Sequence, residues 1–315
     1  MADKPGTGKI PVLLDCDPGT DDALAMLMVF AAPGVHVVGV TTVAGNGNLE
    51  QNTQNALAIM EYFGLAAPLA KGGYPLLKPF EPAEEWINGP GGLGKAVLPP
   101  AALRPTAQSA VQLLHQKIGE YAGEIQLLAT APLTNLALLL EYPEDATKIG
   151  RIVLMGGSWK YGNASACAEF NIYTDPAAAK IVFAAGVPIT MVGLDVSYHT
   201  LVTAPELHAI AALGGRGAKF VCDLMSFSPE LPGGGIPPEG LPIFDALAAA
   251  ALLDPSLASG PQVSVDVETN GQYTLGKTVI DITDLSHRPK NVFMVLQANK
   301  QKFLQLIEQA VRFFA

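Results

Sequence analysis

The chain has 315 residues, 49% hydrophobic and 15% charged, so it holds ample material for a large core and does not resemble a disordered polymer. Its 29 acidic against 19 basic residues give a net charge of −10 with no Lys/Arg cluster, which argues against nucleic acid or an anionic membrane surface as partner. Three widely spaced cysteines (Cys16, Cys167, Cys222) and an opening segment without the apolar stretch of a secretory signal predict a cytoplasmic protein, with residues 1–9 a flexible tail.

A first strand is predicted over 10–15. It runs into Asp15-Cys16-Asp17-Pro18-Gly19-Thr20-Asp21-Asp22, four aspartates in eight residues. Carboxylates this close repel, more so where water is excluded, so a cation must hold them or some must be protonated. The spacing favours a cation. Asp15 and Asp17 share a face at the strand end, Pro18-Gly19 turns the chain, and Asp21-Asp22 enter the first turn of a helix over 21–32, where the dipole favours negative charge.

Strands at 35–43, 125–130, 151–155 and 188–194 then alternate with helices at 48–63, 106–121, 133–141, 175–185, 203–213 and 217–227. Nearly continuous apolar strands between amphipathic helices predict an α/β fold, a mostly parallel, Rossmann-like sheet covered by helices. After a helix at 243–253, segments 263–269 and 273–282 joined by Asn270-Gly271 predict an antiparallel hairpin. A strand at 292–296 and a helix at 299–313 close the chain. Loops at 75–100 and 228–242, dense in Pro and Gly, read as surface connections or pocket walls. No apolar run is long enough to span a bilayer, and no linker divides the chain, so one domain over 1–315 is expected.

Spacing tests the candidate chemistries. An EF-hand starting at Asp15 fails, because Gly19 and Met26 stand where ligands belong. A Mg²⁺-dependent, HAD-like phosphohydrolase with Asp15 or Asp17 as nucleophile would share the strand and Asp-x-Asp, but here Pro18-Gly19 follows. Gly6-Thr7-Gly8-Lys9 is no P-loop, Gly45-Asn46-Gly47 lacks the third glycine of a dinucleotide fingerprint, and the five histidines form no zinc spacing. A hard divalent cation at the carboxyl end of an α/β sheet remains.

The segment from Leu13 to Ala23 resembles the signature of the calcium-dependent, inosine-uridine-preferring nucleoside hydrolases. Thr41-Thr42-Val43-Ala44-Gly45-Asn46, Pro132-Leu133-Thr134-Asn135, Val153-Leu154-Met155-Gly156-Gly157, Ala168-Glu169-Phe170-Asn171, Asp175-Pro176, Val192-Gly193-Leu194-Asp195 and Phe244-Asp245 resemble further blocks in the same order. The resemblance implies hydrolysis of the N-glycosidic bond of ribonucleosides to ribose and a free purine or pyrimidine base. It implies Ca²⁺ held by Asp17, Asp22, Asp245 and the Thr130 carbonyl. Ribose contacts would come from Asp21, Asn46, Met155, Asn163, Glu169 and Asn171, with Asp17 and Asn171 catalytic and Asp15 steering Asp17. It also implies a homo-oligomer, dimer or tetramer. The residue chemistry agrees: a ribose diol can chelate Ca²⁺ beside carboxylates, Asp17 can act as general base on a bound water, and an acidic pocket stabilises positive charge on the sugar. Glu169 and Asn171, two apart in a stretch read as extended, can reach one ligand from the same side.

The base side departs from that pattern. Phe244 stands where these hydrolases carry a histidine proposed to protonate the leaving base, and Ile87-Asn88-Gly89 replaces a His-Gly in the first long loop. The stretch ending at Trp86 is similar to the purine-specific branch. Base contacts are therefore expected from Trp86, Asn88 and Phe244, with Trp86 and Phe244 sandwiching a purine. Favoured leaving groups that need little protonation, such as a cationic base, are the alternative. A ribose- or nucleoside-binding protein without turnover is the non-enzyme reading.

Overall fold

The computed structural model describes residues 8–75, 88–226 and 238–315. In chain order, β1 (Ile10–Cys16), α1 (Thr20–Ala31), β2 (Val35–Thr42), α2 (Leu49–Phe63) and β3 (Leu69–Lys71) form the first half of a wound sheet. Then come α3 (Ala110–Glu120), β4 (Gln126–Ala129), α4 (Thr134–Leu139), α5 (Pro143–Ala146), β5 (Arg151–Met155), α6 (Phe170–Thr174), α7 (Pro176–Ala184) and β6 (Ile189–Val192). The remainder is α8 (Leu194–Ser197), α9 (Ala204–Ala211), α10 (Gly215–Met225), α11 (Phe244–Leu253), β7 (Ala258–Ser259), β8 (Gln262–Val267), β9 (Thr278–Asp281), β10 (Val292–Met294), β11 (Gln297–Ala298) and α12 (Lys300–Phe313).

Among the described residues the main sheet runs β3-β2-β1-β4-β5-β6-β10-β8-β9. It is parallel from β3 to β10, while β8 and β9 pair antiparallel at one edge. β7 and β11 make a separate antiparallel pair. The alternation of side chains along a strand divides the core: Val12, Leu14 and Cys16 of β1 face one hydrophobic cluster and Leu13 the other. Helices α1, α10, α11 and α12 pack together over the first cluster, and α3, α4 and α7 line the second. Helix α11 (FDALAAAALL) is buried from Asp245 through Leu252, as a helix apolar all round must be, and its alanines let it lie close on α1.

Local chemistry sets the boundaries. The helix expected from 106 starts at Ala110 because Ser109 and Gln112 form a reciprocal capping box. Asn48 caps α2, and Gly64, left-handed at φ 68°, ends it. The hairpin differs from expectation. β8 and β9 do pair, Val267 opposite Thr278, but residues 268–277 intervene and the second strand does not begin at 273. The Glu268 carboxylate accepts from the Asn270 and Gly271 amides at 2.8 and 3.2 Å, a side-chain bond that replaces the two-residue turn.

Candidate active site

The strand order reverses direction between β1 and β4, and in wound α/β sheets the crevice at the carboxyl ends of such a pair is where ligands bind. The predicted residues gather there. Asp17 follows β1, Asp21 and Asp22 open α1, Asn46 follows β2, Thr130 follows β4 and Met155 ends β5. Asp245, more than two hundred positions away, arrives in the first turn of α11. Oxygens of Asp21, Asp22 and Asp245 lie within 4.8 Å of one another, a spacing that can hold a metal ion. The triad brings in Asp21, which the sequence reading set against the ribose.

Asp22 accepts protein donors on both oxygens. Its Oδ1 accepts from the Thr130 hydroxyl at 2.7 Å and the Asp17 amide at 3.4 Å, and its Oδ2 from the Gly19 amide and the Asn46 amide side chain, both at 3.1 Å. Asp17 is held by one oxygen only: Oδ2 accepts from the Asn46 backbone N–H at 2.6 Å, while the buried Oδ1 has no hydrogen-bond partner. Gly45 permits this contact, since a Cβ there would sit 2.0 Å from Asp17 Oδ2. Asp15, 2% exposed, accepts on Oδ1 from the Thr41 hydroxyl (2.6 Å) and the Asn135 side-chain amide (2.8 Å), leaving Oδ2 unpartnered.

Among the described residues no cationic side chain pairs with any of these five aspartates. Burial, reinforced by mutual repulsion, pushes Asp15 up to about 7, Asp22 to about 6, and Asp17 and Asp245 well above the carboxylate range; burial also raises Asp21. The orphaned, buried Oδ1 of Asp17 beside the Asp21–Asp22–Asp245 cluster offers oxygen donors of the kind a hard cation takes.

The ribose candidates occupy the adjoining wall. Glu169 and Asn171 are not in an extended stretch: Glu169 caps α6, and Asn171 lies inside that helix. Two orphan amides at the helix start, those of Asn171 and Ile172, explain the difference. Glu169 accepts from the Asn171, Ile172 and Gly157 N–H groups at 2.9, 3.2 and 2.9 Å, yet burial still lifts its carboxyl to about 7. Asn171 Nδ2 donates to the carbonyls of Thr130 (3.0 Å) and Met155 (3.2 Å), tying the predicted metal ligand to the predicted ribose contact. Asn163 is exposed, and its Oδ1 accepts from the Phe170 amide at 2.8 Å.

On the base side, Asn88 is buried and bonded into the site, donating to Asn46 Oδ1 and accepting from the Thr20 hydroxyl, both at 3.1 Å. Phe244 lies edge-to-face with Tyr198, ring centres 5.8 Å apart. Trp86, like residues 76–87 and 227–237 of the two long loops, lies outside the described residues.

Asn135 and Thr41 had no assigned role, although both stand in the motif blocks quoted above. Asn135 bridges three segments, donating to Asp15 Oδ1 and the Thr42 carbonyl and accepting from the Gly73 amide. Asn135→Ala is expected to destabilise the protein by about 2 kcal/mol, because buried partners lose their bonds; a urea midpoint equal to wild type would contradict this.

A family model described as inosine-uridine preferring nucleoside hydrolase matches residues 12–305. The pyrimidine-specific ribonucleoside hydrolase RihA of Salmonella typhimurium is 36% identical over 97% of this chain and 99% of its own length. The RihA of Photobacterium profundum is 38% identical over 95% and 97%. The solved structure of a purine-preferring ribonucleoside hydrolase from Gardnerella vaginalis superposes with a TM-score of 0.87, at 32% identity over 96% of this chain and 98% of that one. The match in sequence runs nearly end to end, and the match in fold includes the sheet whose carboxyl ends build the aspartate cluster. The chain belongs to the inosine-uridine preferring nucleoside hydrolases, enzymes that hydrolyse N-glycosyl bonds.

Proposed function

We propose that this protein is a Ca²⁺-dependent ribonucleoside N-ribohydrolase, residues 1–315 acting as one domain, with Asp17 as general base. The carrying observation is the orphaned Oδ1 of Asp17 beside the Asp21–Asp22–Asp245 triad. Asp17, Asp22, Asp245 and the Thr130 carbonyl would hold the ion, with Asp21 at its edge beside the ribose. Calcium, when bound there, supplies positive charge that neutralises the cluster, anchors vicinal hydroxyls and acidifies a neighbouring water. Asp17 takes a proton on its free oxygen while Asn46 fixes the other. Asn171 binds the ribose as a catalytic partner and holds the Thr130 and Met155 carbonyls in register; Asn46, Met155, Asn163 and Glu169 complete the sugar site. The acidic wall stabilises positive charge developing on the sugar. Asp15 steers Asp17 from behind.

The base would meet Phe244, Asn88 and Trp86. Phe244 offers no proton, so stacking or an inherently good leaving group must serve there. The relatives' names point both ways, to pyrimidines for RihA and to purines for the Gardnerella enzyme. The cytoplasmic, homo-oligomeric state remains part of the proposal; its support is three free cysteines and the family. Among the described residues, no helix is long and apolar enough to cross a membrane.

A reducing-sugar assay across uridine, cytidine, inosine and adenosine tests the reading. Sugar release is expected from ribonucleosides, and their 2′-deoxy analogues should react at least about 10³-fold more slowly, because a buried polar site is left unpaired. Equal rates on ribo- and deoxyribonucleosides would overturn the diol-binding role. Slower hydrolysis of purines than of uridine would sink the purine sandwich.

A further inference from the structure

The segment that follows β5 has no regular structure, yet side chains hold much of its backbone. Five consecutive amides donate to side chains. Gly157 N–H reaches Glu169 at 2.9 Å, Ser158 N–H the Thr278 hydroxyl at 2.9 Å, Trp159 and Lys160 N–H the two oxygens of Asp195 at 2.7 and 3.1 Å, and Tyr161 N–H the Ser158 hydroxyl at 2.7 Å. The carbonyl side is held by a cation. Lys277 Nζ, half-buried, donates to the Ser158 and Trp159 carbonyls at 2.9 and 2.8 Å, and the Thr278 hydroxyl adds a bond to the Ser158 carbonyl at 2.7 Å. Carboxylates thus grip the amide edge and an ammonium grips the carbonyl edge, the arrangement in which charge-assisted bonds are strongest.

The contact is close as well as polar. Gly157 is left-handed at φ 77°, and a Cβ there would lie 2.9 Å from Thr278 Cγ2. Thr278 opens the antiparallel edge strand β9 and Lys277 immediately precedes it, outside the parallel strands that present the aspartates.

We propose that Lys277 is a positioning residue for the sugar site: by clamping the Ser158 and Trp159 carbonyls it holds the segment whose Gly157 amide orients Glu169. The inference rests on the reading of Glu169 as a ribose contact. It gives the antiparallel edge a function, since that edge becomes the back wall of the sugar pocket. The same segment carries Tyr161, whose ring meets Tyr198 at 5.6 Å, so the clamp also reaches the aromatic row ending at Phe244.

A double-mutant cycle with hydrogen exchange tests it. Lys277→Met is expected to lower kcat/KM on a hydrolysed ribonucleoside about tenfold, and amide exchange at residues 157–161 should rise while the β1–β4 amides stay protected. Combined with Glu169→Gln, it should add little to that variant's own loss, because both act through one carboxylate. Lys277→Arg, which still donates to carbonyls, should recover activity to within about threefold of wild type. Lys277→Gln, a milder change, provides a second entry into the same cycle. Multiplicative losses in the double variant, or unchanged exchange at 157–161, would overturn the proposal. Failure of the underlying ribose reading looks different: Glu169→Gln would keep wild-type kcat/KM while exchange at the segment still rose in Lys277→Met.

Discussion

Asp17→Asn is expected to lower kcat/KM on ribonucleosides by about 10³-fold, the range of general-base catalysis, with the fold intact. The substitution is isosteric. Its amide oxygen can still accept from the Asn46 N–H that now meets Oδ2 at 2.6 Å. What it removes is the negative charge and the basic lone pair at the unpartnered Oδ1. Desolvation and repulsion from Asp22, Asp21 and Asp15 work against the ionised form of Asp17. The variant should therefore melt no lower than wild type once metal has been removed, since one member of a repelling cluster is gone. Initial rates on uridine and inosine, read with a thermal melt in chelator, check both parts. Activity within tenfold of wild type would remove Asp17 from the mechanism, and a large fall in melting temperature would show that it acts structurally instead.

Calcium removal is expected to abolish turnover and to make stability depend on pH with a defined sign. In an unfolded chain aspartates ionise near pH 4. In the metal-free fold Asp15 holds its proton to about pH 7 and Asp22 to about 6, and burial with mutual repulsion also raises Asp17 and Asp245 well above the carboxylate range. Between pH 4 and 7 the native state thus binds more protons than the unfolded state, so stability is greatest at the acid end and falls as pH rises. For Asp15 the shift caps this loss at about 4 kcal/mol. Calcium competes with those protons, so its stabilising effect should grow with pH, reaching about 2.7 kcal/mol at a hundredfold excess over Kd. Glu169, lifted to about 7 by burial and not a member of the triad, adds a slope of the same sign that calcium should leave in place. Melting temperatures at pH 5, 6.5 and 8, each with Ca²⁺ or chelator, provide the test. A chelated protein that grows more stable with pH would refute the shifts, and full activity in chelator would refute the metal.

Much of this architecture is written locally. The strand into Asp15, the Pro18-Gly19 turn and the helix behind Asp21-Asp22 follow from period, turn chemistry and dipole, and the structure keeps them within a residue or two. The parallel sheet follows from apolar strands without alternation, because both faces are covered. Readings failed where a polar side chain competes with a regular pattern. Glu268 captures the amides that an Asn-Gly turn would have used, and Glu169 caps a helix five residues long, too short to show a period.

Residue identity and near-neighbour spacing suffice for the strand–turn–helix that concentrates acid, for the order of the motif blocks and for the family they belong to. Which acids meet depends on long-range packing. Asp245 joins Asp21 and Asp22 because α11 packs on α1, and Asn135 reaches Asp15 because β4 lies beside β1. Only the fold shows that one oxygen of Asp17 lacks a partner, since an orphaned atom is a property of everything that fails to reach it. Lys277 is the extreme case. No motif marks it, and its meaning depends on two carbonyls 118 and 119 positions away in the chain.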